Sequence, residues 1–135
     1  MKELYRRWNP IDHSRKWLSL SCEGLRDDRE GLRIVLNGGR STSADGRRFR
    51  VHFDRPLAYR NIDEGNRLMT GGDHADFEEA EGLYRVEHSR WTRWFVEESA
   101  QTHAADEITH FAIVTIADWI DVLSKTEPVV TWVEP

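Results

Sequence analysis

The chain has 135 residues, of which 39% are hydrophobic, 32% charged and 10% aromatic, and its formal net charge is −5. That length suits a single domain with one core, and the composition excludes both a disordered chain and a membrane-embedded one. The net acidity argues against nonspecific nucleic-acid binding, which depends on a basic surface that neutralises phosphates.

Cys22 is the only cysteine, so an intrachain disulfide and a cysteine-based zinc site are excluded. The first residues, MKELYRRWNPIDH, hold no apolar export segment, and no run reaches the roughly eighteen apolar residues of a membrane span. The expected location is the cytoplasm.

After a polar leader, WLSLSC at 17–22 alternates apolar and polar residues and predicts a half-buried strand with Leu20 and Cys22 inward. A turn at 27–31 leads to a strand at 32–36, and the Gly-rich NGGRSTSADG to a third at 47–54. In that third strand Phe49, Val51 and Phe53 alternate with Arg48, Arg50 and His52. Pro56 allows only a short edge piece at 57–60, and 62–82 reads as a long acidic excursion of the kind that often carries function.

A strand at 83–87 enters YRVEHSRWTRWFVEES. With Ser89 as N-cap, Trp91, Trp94, Phe95 and Glu98 share one face of a helix over 89–101, which predicts an aromatic seam packed on a sheet. HFAIVTI at 110–116 predicts a strand covered on both faces. The spacing of Thr115 and Asp118 predicts a capped second helix over 117–124, ended by Pro128 before a last strand at 129–133. The expected fold is α+β: a mainly antiparallel sheet of five or six strands with two helices packed on one face.

The charge is divided: residues 1–60 carry 14 basic and 8 acidic side chains, +6, whereas 61–135 carry 5 and 16, −11. Opposite patches either pair within the fold or orient a charged partner. On the basic side the candidates are Arg48, Arg50 and His52 on the strand, with Arg85, His88, Arg90 and Arg93 around the helix start. On the acidic side they are Asp73, Asp76, Glu78, Glu79 and Glu81. Arginines in the first turn and Glu97 and Glu98 in the last oppose the helix dipole, so they call for a compensating group.

For metal, His103, Asp106, Glu107 and His110 fall within eight residues but match no established zinc spacing. There is no Gly-x-Ser-x-Gly elbow and no Walker loop, so no catalytic residue and no cofactor is nominated. Phe49 and Phe53 alternate away from the arginines, against a base-stacking sheet.

Through YRVEHSRWTRWFVEES, HFAIVTIADWIDVLS and the proline and strand that follow, the C-terminal half resembles small uncharacterised bacterial proteins. Some of these look like immunity or accessory proteins that act by binding a partner. The resemblance spans Tyr84 to Trp132, rests on core-type aromatic motifs and carries over no catalytic residue. Together with the charge division and the absent catalytic motifs, it leads to the expectation of a non-enzymatic module that binds another protein or a second copy of itself through charged surfaces, without nucleic acid or membrane. The alternative is a small-ligand or metal-dependent enzyme with an anion-binding pocket at the helix start near residue 89.

Overall fold

The structure, a computed structural model, describes residues 2–11, 19–39, 47–67 and 81–133. The elements in chain order are strands β1 (Leu4–Arg7), β2 (Ser19–Asp28), β3 (Gly31–Gly39), β4 (Arg47–Phe53), β5 (Ala58–Asp63) and β6 (Gly82–Glu87), helix α1 (Arg90–Glu98), and strands β7 (Thr109–Val114), β8 (Asp118–Ser124) and β9 (Val129–Trp132). One-turn 3-10 segments lie at Glu64–Asn66 and Ala105–Glu107.

Alternation along β4 does what its pattern requires: Phe49, Val51 and Phe53 are buried, while Arg48 and Arg50 are exposed. β4 lies in an antiparallel sheet of order β2-β3-β4-β9, where Leu32 faces Phe53, Ile34 faces Val51 and Leu36 faces Phe49. The β2–β3 hairpin turns through Arg29 and Glu30, and Gly31 is required there. Its φ is +106°, and a Cβ would stand 2.3 Å from the Phe53 carbonyl oxygen.

A bulge between Cys22 and Gly24 resets the phase of β2, so that Leu20, Cys22 and Leu25 all reach the core side. This is why the strand continues to Asp28, past the end that its simple alternation predicts.

The second sheet has the order β1-β6-β7-β8-β5, also antiparallel. Its Leu83, Phe111, Ile113, Ile120 and Val122 join the buried residues of the first sheet in one cluster, and the Phe53 and Phe111 rings meet at 5.4 Å. The two sheets therefore form a sandwich around a shared core. The opposite face of the five-stranded sheet is buried too, where its own Tyr5, Tyr84, Val86, Ala112, Val114 and Trp119 form a second cluster.

This corrects the expected single sheet with two helices on one face: nine strands form two sheets, and α1 is the only α-helix among the described residues. Residues 118–124 are strand β8, not a helix. The Thr115 hydroxyl does accept the Asp118 amide at 2.8 Å, but it closes the β7–β8 turn, with Thr115 N–H donating to the Asp118 carbonyl at 2.8 Å. A further strand, β1, lies where the sequence reads as leader, and β5 carries the expected edge piece at 57–60 on to Asp63.

Helix α1 also departs from expectation. Ser89 is its N-cap, but Thr92 is its only buried residue; Trp91 and Phe95 are half-buried and Trp94 is 54% exposed. The aromatic seam is not a core seam. Trp91 lies edge-on to His110, and Phe95 stacks on His103 at 5.9 Å.

Candidate functional site

A chain of buried polar groups crosses the covered face of the five-stranded sheet. β7 and β8 bring it about: their register pairs His110 with Leu123, so Asp121 is the diagonal neighbour of His110 on the same face. His110 Nε2 lies 2.7 Å from Asp121 Oδ1, and His110 Nδ1 lies 2.7 Å from Ser89 Oγ. Ser89, His110 and Asp121 are 6%, 2% and 0% exposed, which places all three in low dielectric.

The carboxylate of Asp121 is held from its other oxygen as well. Oδ2 accepts Arg67 Nη1 at 2.7 Å and Arg60 Nε at 3.0 Å, and β5 places Arg60 directly opposite Asp121. Arg67 lies 4.6 Å over the Trp119 ring and Arg60 4.3 Å over Trp91. Burial by itself pushes the Asp121 pKa up, but the hydrogen bond from His110, with the charges of Arg67 and Arg60, holds it below the usual carboxylate range.

An ionised Asp121 is acceptor-only, so His110 donates from Nε2 and leaves Nδ1 to accept the Ser89 hydroxyl. Burial, with the charges of Asp121 and Glu3, raises the Tyr5 pKa on this face and keeps the phenol protonated.

Ser89 stands where β6 passes into α1. His88, with φ +55°, turns the chain, and the Ser89 Oγ accepts the Thr92 amide at 3.0 Å. The next amide, that of Arg90, donates to Glu3 Oε2 at 2.8 Å. The group that compensates the helix dipole is therefore a carboxylate from the N-terminal segment of the same chain. Ser89 also lines an open groove of about 650 Å³, together with Arg85, His88, Arg93, Asp106 and Ile108.

The chain matches no family model, no curated protein and no solved structure.

The structure distributes the sequence candidates unevenly. Arg85, His88 and Arg93 meet at the groove, though Arg85 is paired with Glu127 at 2.5 Å. Arg90 and Arg93 are exposed and form no ion pair among the described residues. Arg48 is held by Glu23 at 2.8 Å, and His52 Nε2 lies 2.5 Å from the Glu30 carbonyl, so within that trio only Arg50 lacks such a partner among the described residues. Asp73, Asp76, Glu78 and Glu79 lie outside the described residues; Glu81 accepts the Leu20 amide at 3.0 Å.

The four metal candidates are separated: Glu107 pairs with Lys125, Asp106 lines the groove, His103 stacks on Phe95 and His110 is buried in the polar chain. The described residues hold no group of three or more potential ligands. Cys22 is half-buried against the core, and burial pushes its thiol pKa up, away from a reactive thiolate.

Sequence reasoning missed Asp121, Arg60 and Arg67 altogether. The available sign was Asp121, the one acid among the apolar residues of WIDVL at 119–123, once that segment is taken as a strand.

Proposed function

We propose that the chain is a protein-binding module of immunity-type or accessory character, working in the cytoplasm, whose recognition surface is the outer side of α1. The observation that carries this reading is Trp94. It is a large aromatic at 54% exposure, with Arg90 four residues before it and Arg93 beside it, both exposed and without ion pairs among the described residues.

Tryptophan and arginine dominate interface hot spots because each offers a large contact area and a directed polar group. Cations that form no ion pair among the described residues, at one end of the helix, favour an acidic surface on the partner, while Glu97 and Glu98 at the other end would set its orientation. No described helix is long and apolar enough to cross a membrane.

The test is affinity capture from the source cell with the wild type, Trp94→Ala and Arg90→Glu/Arg93→Glu, together with sedimentation of the chain alone to detect self-association. A hot-spot Trp94 predicts that truncation weakens binding by about 2 kcal/mol or more, roughly thirtyfold. Charge reversal should slow association and remove its salt dependence. A partner whose affinity and association rate are the same for all three proteins would exclude this surface.

A further inference from the structure

We propose that Ser89, His110 and Asp121 form a nucleophile, a general base and its positioning residue for hydrolysis of a short-chain carboxylic ester or thioester held in the groove beside α1. This goes beyond docking and is independent of Trp94. Two consecutive contacts of 2.7 Å join the three side chains in the order that nucleophilic catalysis requires, from hydroxyl to imidazole to carboxylate.

The geometry supplies each requirement in turn. Asp121 is immobilised by Arg67 and Arg60, so the imidazole is fixed in one tautomer with Nδ1 directed at Ser89. Ser89 Oγ accepts the Thr92 amide at the positive end of α1, which favours negative charge developing on that oxygen. The serine lines the groove, whose Val86, Ala105 and Ile108 offer apolar contact for an acyl chain. The Arg90 amide, one residue after the nucleophile, already holds a negatively charged oxygen, Glu3 Oε2 at 2.8 Å. A tetrahedral oxyanion would use that donor once Glu3 withdraws.

In the reaction, Ser89 Oγ attacks the acyl carbon as its proton passes to His110 Nδ1. The bond to the leaving oxygen or sulfur then breaks, and His110 returns the proton to that atom, leaving Ser89 acylated. Water, deprotonated by the same Nδ1, attacks the acyl carbon. The Oγ–acyl bond breaks, the serine recovers its proton and a carboxylic acid departs.

The experiment exposes the whole chain to an alkyl fluorophosphonate, which phosphonylates an activated serine with loss of fluoride, and maps the adduct by mass. Hydrolysis of p-nitrophenyl acetate and butyrate is followed in parallel. The expected result is one adduct on Ser89, formed about a hundredfold faster in Glu3→Ala, the scale of one oxyanion donor. Ester hydrolysis should fall at least a hundredfold in Ser89→Ala, on the scale of general-base catalysis.

Asp121→Asn should move the pH profile of hydrolysis to lower pH, since the imidazole loses the negative charge beside it; a purely structural residue would lower the rate without moving the profile. Ser89→Ala also removes a helix cap, so its fold is checked by circular dichroism, and adduct mapping on the unaltered chain decides the matter if that variant unfolds. Absence of a Ser89 adduct from both the wild type and Glu3→Ala, or unchanged hydrolysis in folded Ser89→Ala, overturns the proposal.

Discussion

Asp121 is the residue on which the covered face depends. It satisfies a histidine and two arginines at once, and it has no exposed surface. Replacing it with asparagine keeps the shape but removes a fully buried negative charge from beside the Arg67 guanidinium, itself only 9% exposed. Breaking a buried pair from one side costs about 3 to 5 kcal/mol, and urea denaturation at neutral pH should show a loss of that order.

The pH dependence follows from the direction of the shift. The folded-state pKa of Asp121 is depressed, whereas the unfolded carboxyl titrates near about 3.9. As pH falls, the unfolded chain takes the proton first, so the stability contributed by Asp121 is complete above about pH 4 and is lost on passing down through the folded value. Stability of the wild type should fall in that acid range, and Asp121→Asn should lack that part of the loss. Equal acid sensitivity in the two proteins would contradict it. At this scale Ser89 was legible, because an N-cap is a local pattern; Asp121 was not, because its partners come from β5, from Arg67 and from β7.

Among the elements, α1 ends in a way that invites a measurable improvement. The Gln101 amide donates to the Val96 carbonyl at 2.9 Å and the Ala100 amide to that of Glu97 at 3.0 Å, which is a Schellman closure. Such a closure needs a left-handed residue after the C-cap, and here Ala100 takes φ +53° and Gln101 +61°. Left-handed backbone costs a residue with a Cβ about 1 to 2 kcal/mol. Ala100→Gly should therefore raise stability by roughly 1 kcal/mol, less a few tenths for the extra freedom of glycine in the unfolded chain, and raise the Tm accordingly. A neutral or destabilising result would mean that the closure does not govern the end of the helix.

β8 shows why the element pattern was only partly readable. β4 has one face in the core and one in water, so its period of two is plain in the sequence. In β8 both faces are covered: Ile120 and Val122 point to the shared core, and Trp119, Asp121 and Leu123 lie on the other, buried face. Consecutive apolar pairs then imitate a helix, and periodicity cannot separate the two.

At the scale of the molecule, the +6 and −11 halves do meet in part, through the ion pairs of Arg6 with Glu87 and Arg60 with Asp121 and the bond from the Arg90 amide to Glu3. Arg48, Arg33 and Arg26 instead find acids within the same N-terminal half. The charge division was visible in composition, but the pairing was not, because register and sheet order set which strands lie side by side.

What binds the two sheets is apolar. Phe111 of the five-stranded sheet packs against Phe53 of the other at 5.4 Å and against Trp8 at 5.0 Å. All three belong to or border one buried cluster, so neither sheet keeps a core of its own on that side when the other leaves. Removing the ring should open a cavity felt by both sheets and cost about 3 to 5 kcal/mol. Because the loss is shared, denaturation followed by tryptophan fluorescence and by far-ultraviolet circular dichroism should remain one coincident transition in both the wild type and Phe111→Ala, with the midpoint lowered in the variant. Two separated transitions, with only one of them moved by the substitution, would show that the sheets fold as independent units.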